Sequence, residues 1–152
     1  MLPTLPMPMW IVWCMSFARR IVIDTGVLVS AAIRPLSIPA LALEKALLHF
    51  DVCASEETLA ELAKVLLRRK FDRYAPKPLR QAFVDGLRQR AVLFVVTAEV
   101  GDCPDPKDNK FLALAEAAEA ELIVASDPHL TNMHPWRGIP IMPPAPFLVG
   151  IR

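Results

Sequence analysis

The feature that most limits what this chain can fold into is a regular alternation, starting at residue 20, of short apolar runs with longer helical patterns. Arg20-Ile-Val-Ile-Asp24 is a β-branched run that ends in an acid. Ala40 to Phe50 has helical spacing, and Asp51-Val-Cys-Ala-Ser55 is a short strand that ends in a good helix cap. Glu56 to Arg69 follows as a strong helix, with Ser55 at its cap, acids in its first turn and bases at its end, as the helix dipole favours. Pro78 to Arg90 predicts a helix, Val92 to Thr97 a strand and Lys107 to Ala120 an alanine-rich helix. Leu122 to Ala125 is a further strand. A helical turn covers Pro128 to Met133, and Ile139 to Met142 reads as a last edge strand. Apolar strands of four to six residues alternating with helices mean a parallel sheet covered on both faces.

Composition narrows the class. With 54% hydrophobic and 22% charged residues, the chain is not of the disordered type. Its 152 residues suit one domain that buries its own core. Cys14, Cys53 and Cys103 are odd in number and form no CxxC pair, which argues against a disulfide framework and a thiolate zinc site and fits a reducing cytoplasm best. His49, His129 and His134 show no HExxH pattern and read as ordinary residues.

Residues 1–19 differ from the rest. Met1 to Pro8 is a Pro/Met-rich run, and Met9 to Ala18 is apolar and followed by Arg19 and Arg20. That run is shorter than the roughly 17–25 residues a membrane span needs, and its charges follow it rather than precede it as in a secretory signal. We read residues 1–19 as a poorly ordered N-terminal extension without stable membrane insertion, or as the product of an early start with Met15 as the true one. A membrane-surface or partner-binding tail using Trp10 and Trp13 is the alternative. Residues 20–152 form the domain.

Open parallel sheets bind ligands beyond the carboxyl ends of their strands. Asp24 follows the first strand, Asp127 follows the Leu122 strand, and Asp105 and Asp108 lie in the loop before the alanine-rich helix. Taken singly, each acid has an ordinary reading as a helix cap, a turn residue or a solvated loop acid. Gathered at one end of a sheet, they would repel one another unless a cation neutralised them, and three or four carboxylates suit Mg²⁺ or Mn²⁺. On the Glu56–Arg69 helix, Glu61 falls at the edge of the apolar arc, so periodicity alone does not select it.

Five segments together resemble one known family. They are Ile21 to Ser30, Ser55 to Leu66, Cys103 to Leu112, Leu122 to Leu130 and Ile141 to Leu148. In this order, over roughly residues 20 to 147, they resemble PIN-domain proteins of the kind that serve as VapC-like toxins in bacterial toxin–antitoxin pairs. The resemblance implies a three-layer α/β/α domain with a central parallel sheet of four to five strands. It implies a divalent-metal-dependent endoribonuclease that hydrolyses RNA phosphodiester bonds and leaves a 5′-phosphate and a 3′-hydroxyl. By resemblance the catalytic acids are Asp24, Glu61, Asp108 and Asp127. Asp24, Asp108 and Asp127 would hold Mg²⁺ or Mn²⁺ with Asp105 as a helper, and Glu61 would hold a second ion or orient the attacking water. A cognate antitoxin, a homodimer and a cytoplasmic location are implied in the same way. The chain departs from the family pattern at two places. It has Gly26 where the family often has Asn, and Ala125-Ser126 where the family often has Thr-Gly.

Charge is unevenly distributed in a chain of net charge +1. Between Arg68 and Arg90, eight basic residues face two acids; between Glu99 and Asp127, eight acids face two lysines. Arg68, Arg69, Lys70 and Arg73 are the candidate RNA-binding residues, through salt-sensitive phosphate contacts. Their alternative is a solvated helix–turn–helix surface. Phe71 and Tyr74 read as core residues rather than base-stacking ones. A dehalogenase-like phosphatase would need a second acid where Gly26 stands, and a receiver-like phosphoacceptor would need a lysine after the Leu122 strand. A catalytically inactive PIN-like module that only binds RNA or protein stays open, because of Gly26 and Ala125. Asp24→Asn is expected to leave folding intact, and even to raise stability by removing one repelling charge.

Overall fold

Strand β1 (Arg20–Ile23) has no polar residue after Arg20, and it takes the central place in a sheet covered on both faces. The computed structural model describes residues 19–150, so the expected extension lies outside the described residues except for Arg19. β1 is the centre of a five-stranded sheet of order β3-β2-β1-β4-β5, in which every pairing is parallel. Its neighbours are β2 (Asp51–Ala54) and β4 (Leu122–Val124); β3 (Val92–Leu93) and β5 (Ile141–Met142) are two-residue edges.

Side chains of the central strands alternate between two cores, as a strand's twofold period requires. Ile21, Ile23, Val52, Ala54, Leu122 and Val124 face one core, and Val22, Cys53, Ile123 and Ala125 face the other. The first core is closed by α1 (Thr25–Ile33), α2 (Ile38–His49), α3 (Glu56–Leu66), α4 (Lys77–Arg90) and α7 (Pro144–Gly150). The second is closed by α5 (Asn109–Ala118), by Leu130 of α6 (Pro128–Thr131) and by Trp136. The result is the expected three-layer α/β/α domain. Among the described residues, no single helix is long and apolar enough to cross a membrane.

Several boundaries differ from the sequence reading. The Val92–Thr97 strand stops at Leu93: it has a neighbour on one side only, and Val95 is 89% exposed. The alanine-rich helix opens with a 3₁₀ turn over Pro106–Asp108 and ends at Glu119, whose φ of 52° breaks the helical path. α1 and α7 had no helical signal in the sequence. Thr25-Gly-Val-Leu-Val is β-branched and carries a glycine, but Asp24 caps it and four of its residues are buried.

Arg80 is the largest departure. Counted among the basic surface residues, it is in fact 1% exposed. Its guanidinium donates to the carbonyls of Leu66 (2.8 Å), Arg68 (3.1 Å) and Ala75 (3.0 Å), and it pairs with Asp72. These bonds satisfy the carbonyls left over where α3 ends, three residues before the expected Arg69. Arg80 therefore builds the turn that displays Arg68, Arg69, Lys70 and Arg73. Arg80→Ala should lower the urea-unfolding stability by about 3 kcal/mol, because three carbonyls lose their donor. Arg80→Lys should recover little of it, since an ammonium cannot span the same fan of acceptors.

Candidate active site

The order of the sheet reverses at β1, which has β2 on one side and β4 on the other. A crevice therefore opens beyond the carboxyl ends of β1 and β4, the usual ligand position in such sheets. It is a cleft of about 480 Å³, and its lining includes Asp24, Glu61, Asp105, Asp108, Asp127 and His129. All five acids singled out in the sequence reach this one cleft.

Asp24, 2% exposed, sits at the root. Its Oδ1 accepts the Val27 N–H (2.9 Å), which caps α1. Its Oδ2 accepts the N–H groups of Ser126 (3.0 Å) and Asp127 (3.4 Å). One carboxylate thus ties the end of β1 to the loop after β4. Burial raises its pKa, while those N–H bonds and the nearby Asp127 pull in opposite directions. The expectation that Asp24→Asn could raise stability therefore reverses. An amide NH₂ would face backbone donors, a mismatch worth about 1–3 kcal/mol.

Asp105, Asp108, Asp127 and His129 form the tightest group, with one ligand atom from each lying within 4.8 Å of the others. Asp105 and Asp127 are fixed by their own turns. The Lys107 N–H donates to Asp105 Oδ1 (3.1 Å), and the His129 N–H donates to Asp127 Oδ1 (2.9 Å). Asp108 is 8% exposed, and its Oδ2 is buried with no hydrogen-bond partner. Burial, together with the charges of Asp127, Asp105 and Asp24, pushes its pKa up to about 7. Asp127 is held below the ordinary range, chiefly by its pairing with the raised Asp108, with the neighbouring His129 adding to the effect. Without a cation, then, this pair holds a proton that a lone aspartate would have lost.

Glu61 stands on the α3 wall and is fully engaged. Thr25 Oγ1 donates to its Oε2, and Lys110 Nζ to its Oε1 at 3.0 Å. The basic turn begins three residues beyond Val65, another lining residue of this wall. Arg68, Arg69, Lys70 and Arg73 are exposed and make no ion pair with an acid among the described residues. Lys70 lies over the Phe71 ring (5.1 Å) and Arg73 over the Tyr74 ring (5.2 Å). Phe71 packs against the core as expected, but Tyr74 is 44% exposed. Arg88, also counted in the basic segment, pairs with Glu56 at 2.7 Å.

The departure at Gly26 has a steric counterpart. A Cβ on Gly26 would lie 2.5 Å from Ser126 Oγ. The side-chain space expected at position 26 is occupied from position 126.

Sequence reasoning missed His129, Lys110 and Thr25. His129 had one signal, its place two residues after a capping acid in a helical first turn. Lys110 and Thr25 had none, because their partner Glu61 is distant in sequence and periodicity had not selected it.

The fold and cleft define a class: three-layer α/β/α domains that gather carboxylates beyond the central strands. Residues 20–129 match the PIN domain family, and the chain belongs to it. The chain is similar in fold to one in the crystal structure of VapBC2 from Rickettsia felis bound to a DNA fragment from its promoter. The TM-score is 0.54 at 16% identity, over 80% of this chain and 96% of that one. No curated protein gives a significant match.

Proposed function

We propose that the chain is a divalent-metal-dependent endoribonuclease and the toxin of a toxin–antitoxin pair. The observation that carries this reading is Asp108, a buried carboxylate whose Oδ2 has no partner, set beside Asp105 and Asp127 in the cleft. A buried polar atom with nothing to bond is costly, and an all-oxygen group of like charges is the donor set that Mg²⁺ or Mn²⁺ prefers. The residues present fit such an ion.

Asp105, Asp108 and Asp127 would hold the ion, with Asp24 bracing the loop that carries Asp127. When bound, the ion lowers the pKa of a water and offsets charge developing on a phosphodiester. Glu61 would orient that water once Lys110 releases it, and Lys110 would then be free to meet a phosphate oxygen. Arg68, Arg69, Lys70 and Arg73 would hold the RNA backbone beside the α3 wall, with Tyr74 available for stacking. The fold shared with a VapBC2 chain supports an antitoxin partner. Leu41 and Leu48, exposed on α2, support a protein-binding face for an antitoxin or a second copy in a homodimer. A cytoplasmic location accords with this role.

The test is an RNA cleavage assay with Mg²⁺, with Mn²⁺ and with a chelator. Cleavage is expected with either ion and should vanish on chelation. RNA that binds equally in all three and is never cut would favour the inactive binding module, a reading that the occupied Glu61 supports. For the basic turn, the paired change Arg68→Ala and Arg69→Ala should weaken binding to unrelated single-stranded RNAs alike. The slope of log K against log salt should fall by about 0.7 for each phosphate that is no longer held.

A further inference from the structure

We propose that His129 is a ligand of the divalent ion held by Asp105, Asp108 and Asp127, and that its nitrogen makes the site select Mn²⁺ over Mg²⁺. This rests on the reading that these acids hold a metal, and it adds a residue and a selectivity to that reading.

The argument starts from the local backbone. Asp127 caps α6, and its Oδ1 accepts the His129 N–H, which fixes the imidazole two residues further on. The ring then turns back toward the acids. Its Nδ1 lies 3.1 Å from Asp127 Oδ1 and 4.0 Å from Asp105 Oδ2. The ring is half-exposed, so it can approach an ion without a large desolvation cost. Asp108, whose buried Oδ2 has no partner, offers one carboxylate oxygen to the same group. Three carboxylates alone would suit Mg²⁺ and Mn²⁺ about equally well. Mg²⁺ is small, prefers oxygen and keeps its waters, whereas imidazole is a good ligand for first-row transition ions. One nitrogen in the set therefore tips the balance toward Mn²⁺. A ring that merely neutralised Asp127 would leave that balance where the oxygens put it.

The experiment is calorimetric titration of the full chain with MnCl₂ and with MgCl₂, together with pulsed electron paramagnetic resonance of the bound Mn²⁺. The native protein is expected to bind Mn²⁺ at least about tenfold more tightly than Mg²⁺, and the resonance should show coupling to one imidazole nitrogen. His129→Gln should abolish the nitrogen coupling and weaken Mn²⁺ by about tenfold, with Mg²⁺ changed by no more than about twofold. Mn²⁺ bound without nitrogen coupling in the native protein overturns the proposal and leaves the metal-nuclease reading standing. That measurement needs no variant to fold. An unchanged ratio of affinities in His129→Gln overturns it equally. Failure of the native protein to bind either ion at millimolar concentration overturns this proposal and the metal-dependent nuclease reading together.

Discussion

Asp108→Asn is expected to cut RNA cleavage by at least about a hundredfold while making the protein harder to unfold at pH 8. The two effects come from the same atoms. The amide keeps the shape of the carboxylate but removes a charge from the metal set, a loss of the size seen when a main electrostatic contributor is deleted. In the absence of metal, the wild-type carboxylate must ionise in a buried place beside Asp127, Asp105 and Asp24. A neutral amide escapes that repulsion. The melting temperature without metal should therefore rise, by roughly 3 °C for each kcal/mol relieved. At pH 5 the wild type carries its own proton on Asp108, and the two proteins should melt nearly together. Asp24→Asn offers the contrast: it should lower both activity and stability, because its carboxylate also accepts three backbone N–H groups. Cleavage that survives in Asp108→Asn would remove the carboxylate cluster from the reaction.

Divalent ions are expected to raise the melting temperature strongly at neutral pH and weakly at pH 5. At a free ion concentration a hundred times the dissociation constant, the native state gains about 2.7 kcal/mol, or roughly 8 °C for a domain of this size. The pH dependence follows from Asp108, which ionises near pH 7 in the fold and near 3.9 when unfolded. Between those values the native state holds a proton that the unfolded chain has lost. Without metal, this group's contribution to stability therefore falls as pH rises from about 4 to about 7, and is level above that. An ion must displace the same proton, so its stabilisation grows across that window. Asp127 acts elsewhere: its depressed pKa adds stability above the ordinary carboxylate range, lost only in stronger acid. Scanning melts at several pH values, with and without MnCl₂, would show the two curves diverging upward in pH. Parallel curves would count against proton–metal exchange at Asp108.

The fold was legible because its signals are local. Apolar runs such as Leu122-Ile-Val and the capped helix after Ser55 announce themselves within a few residues. α1 was not legible, because its sequence prefers strand and only Asp24 and burial make it helical. The acids could be found at the positions just past the strand ends, since a parallel sheet brings those positions together. Their division of labour could not. That Asp24 is tied up by backbone N–H groups, that Asp105 belongs to the tight group and that Lys110 covers Glu61 are facts of distance. Arg80 shows the opposite failure: in a run of basic residues, nothing local marks the one that turns inward.

The close approach of Gly26 to Ser126 bears on how this cleft can change over generations. The two positions contend for one volume, so what position 26 accepts depends on what stands at 126. From the present pair, a larger residue at 26 arrives against a hydroxyl 2.5 Å away, which must swing aside. If Ser126 is first replaced by glycine, that hydroxyl is gone and a Cβ at 26 meets only Asp24 Oδ1, at an ordinary contact distance of 3.7 Å. The order of the two substitutions would therefore set how crowded the intermediate is, and the route that loses the Ser126 hydroxyl first is the less hindered one.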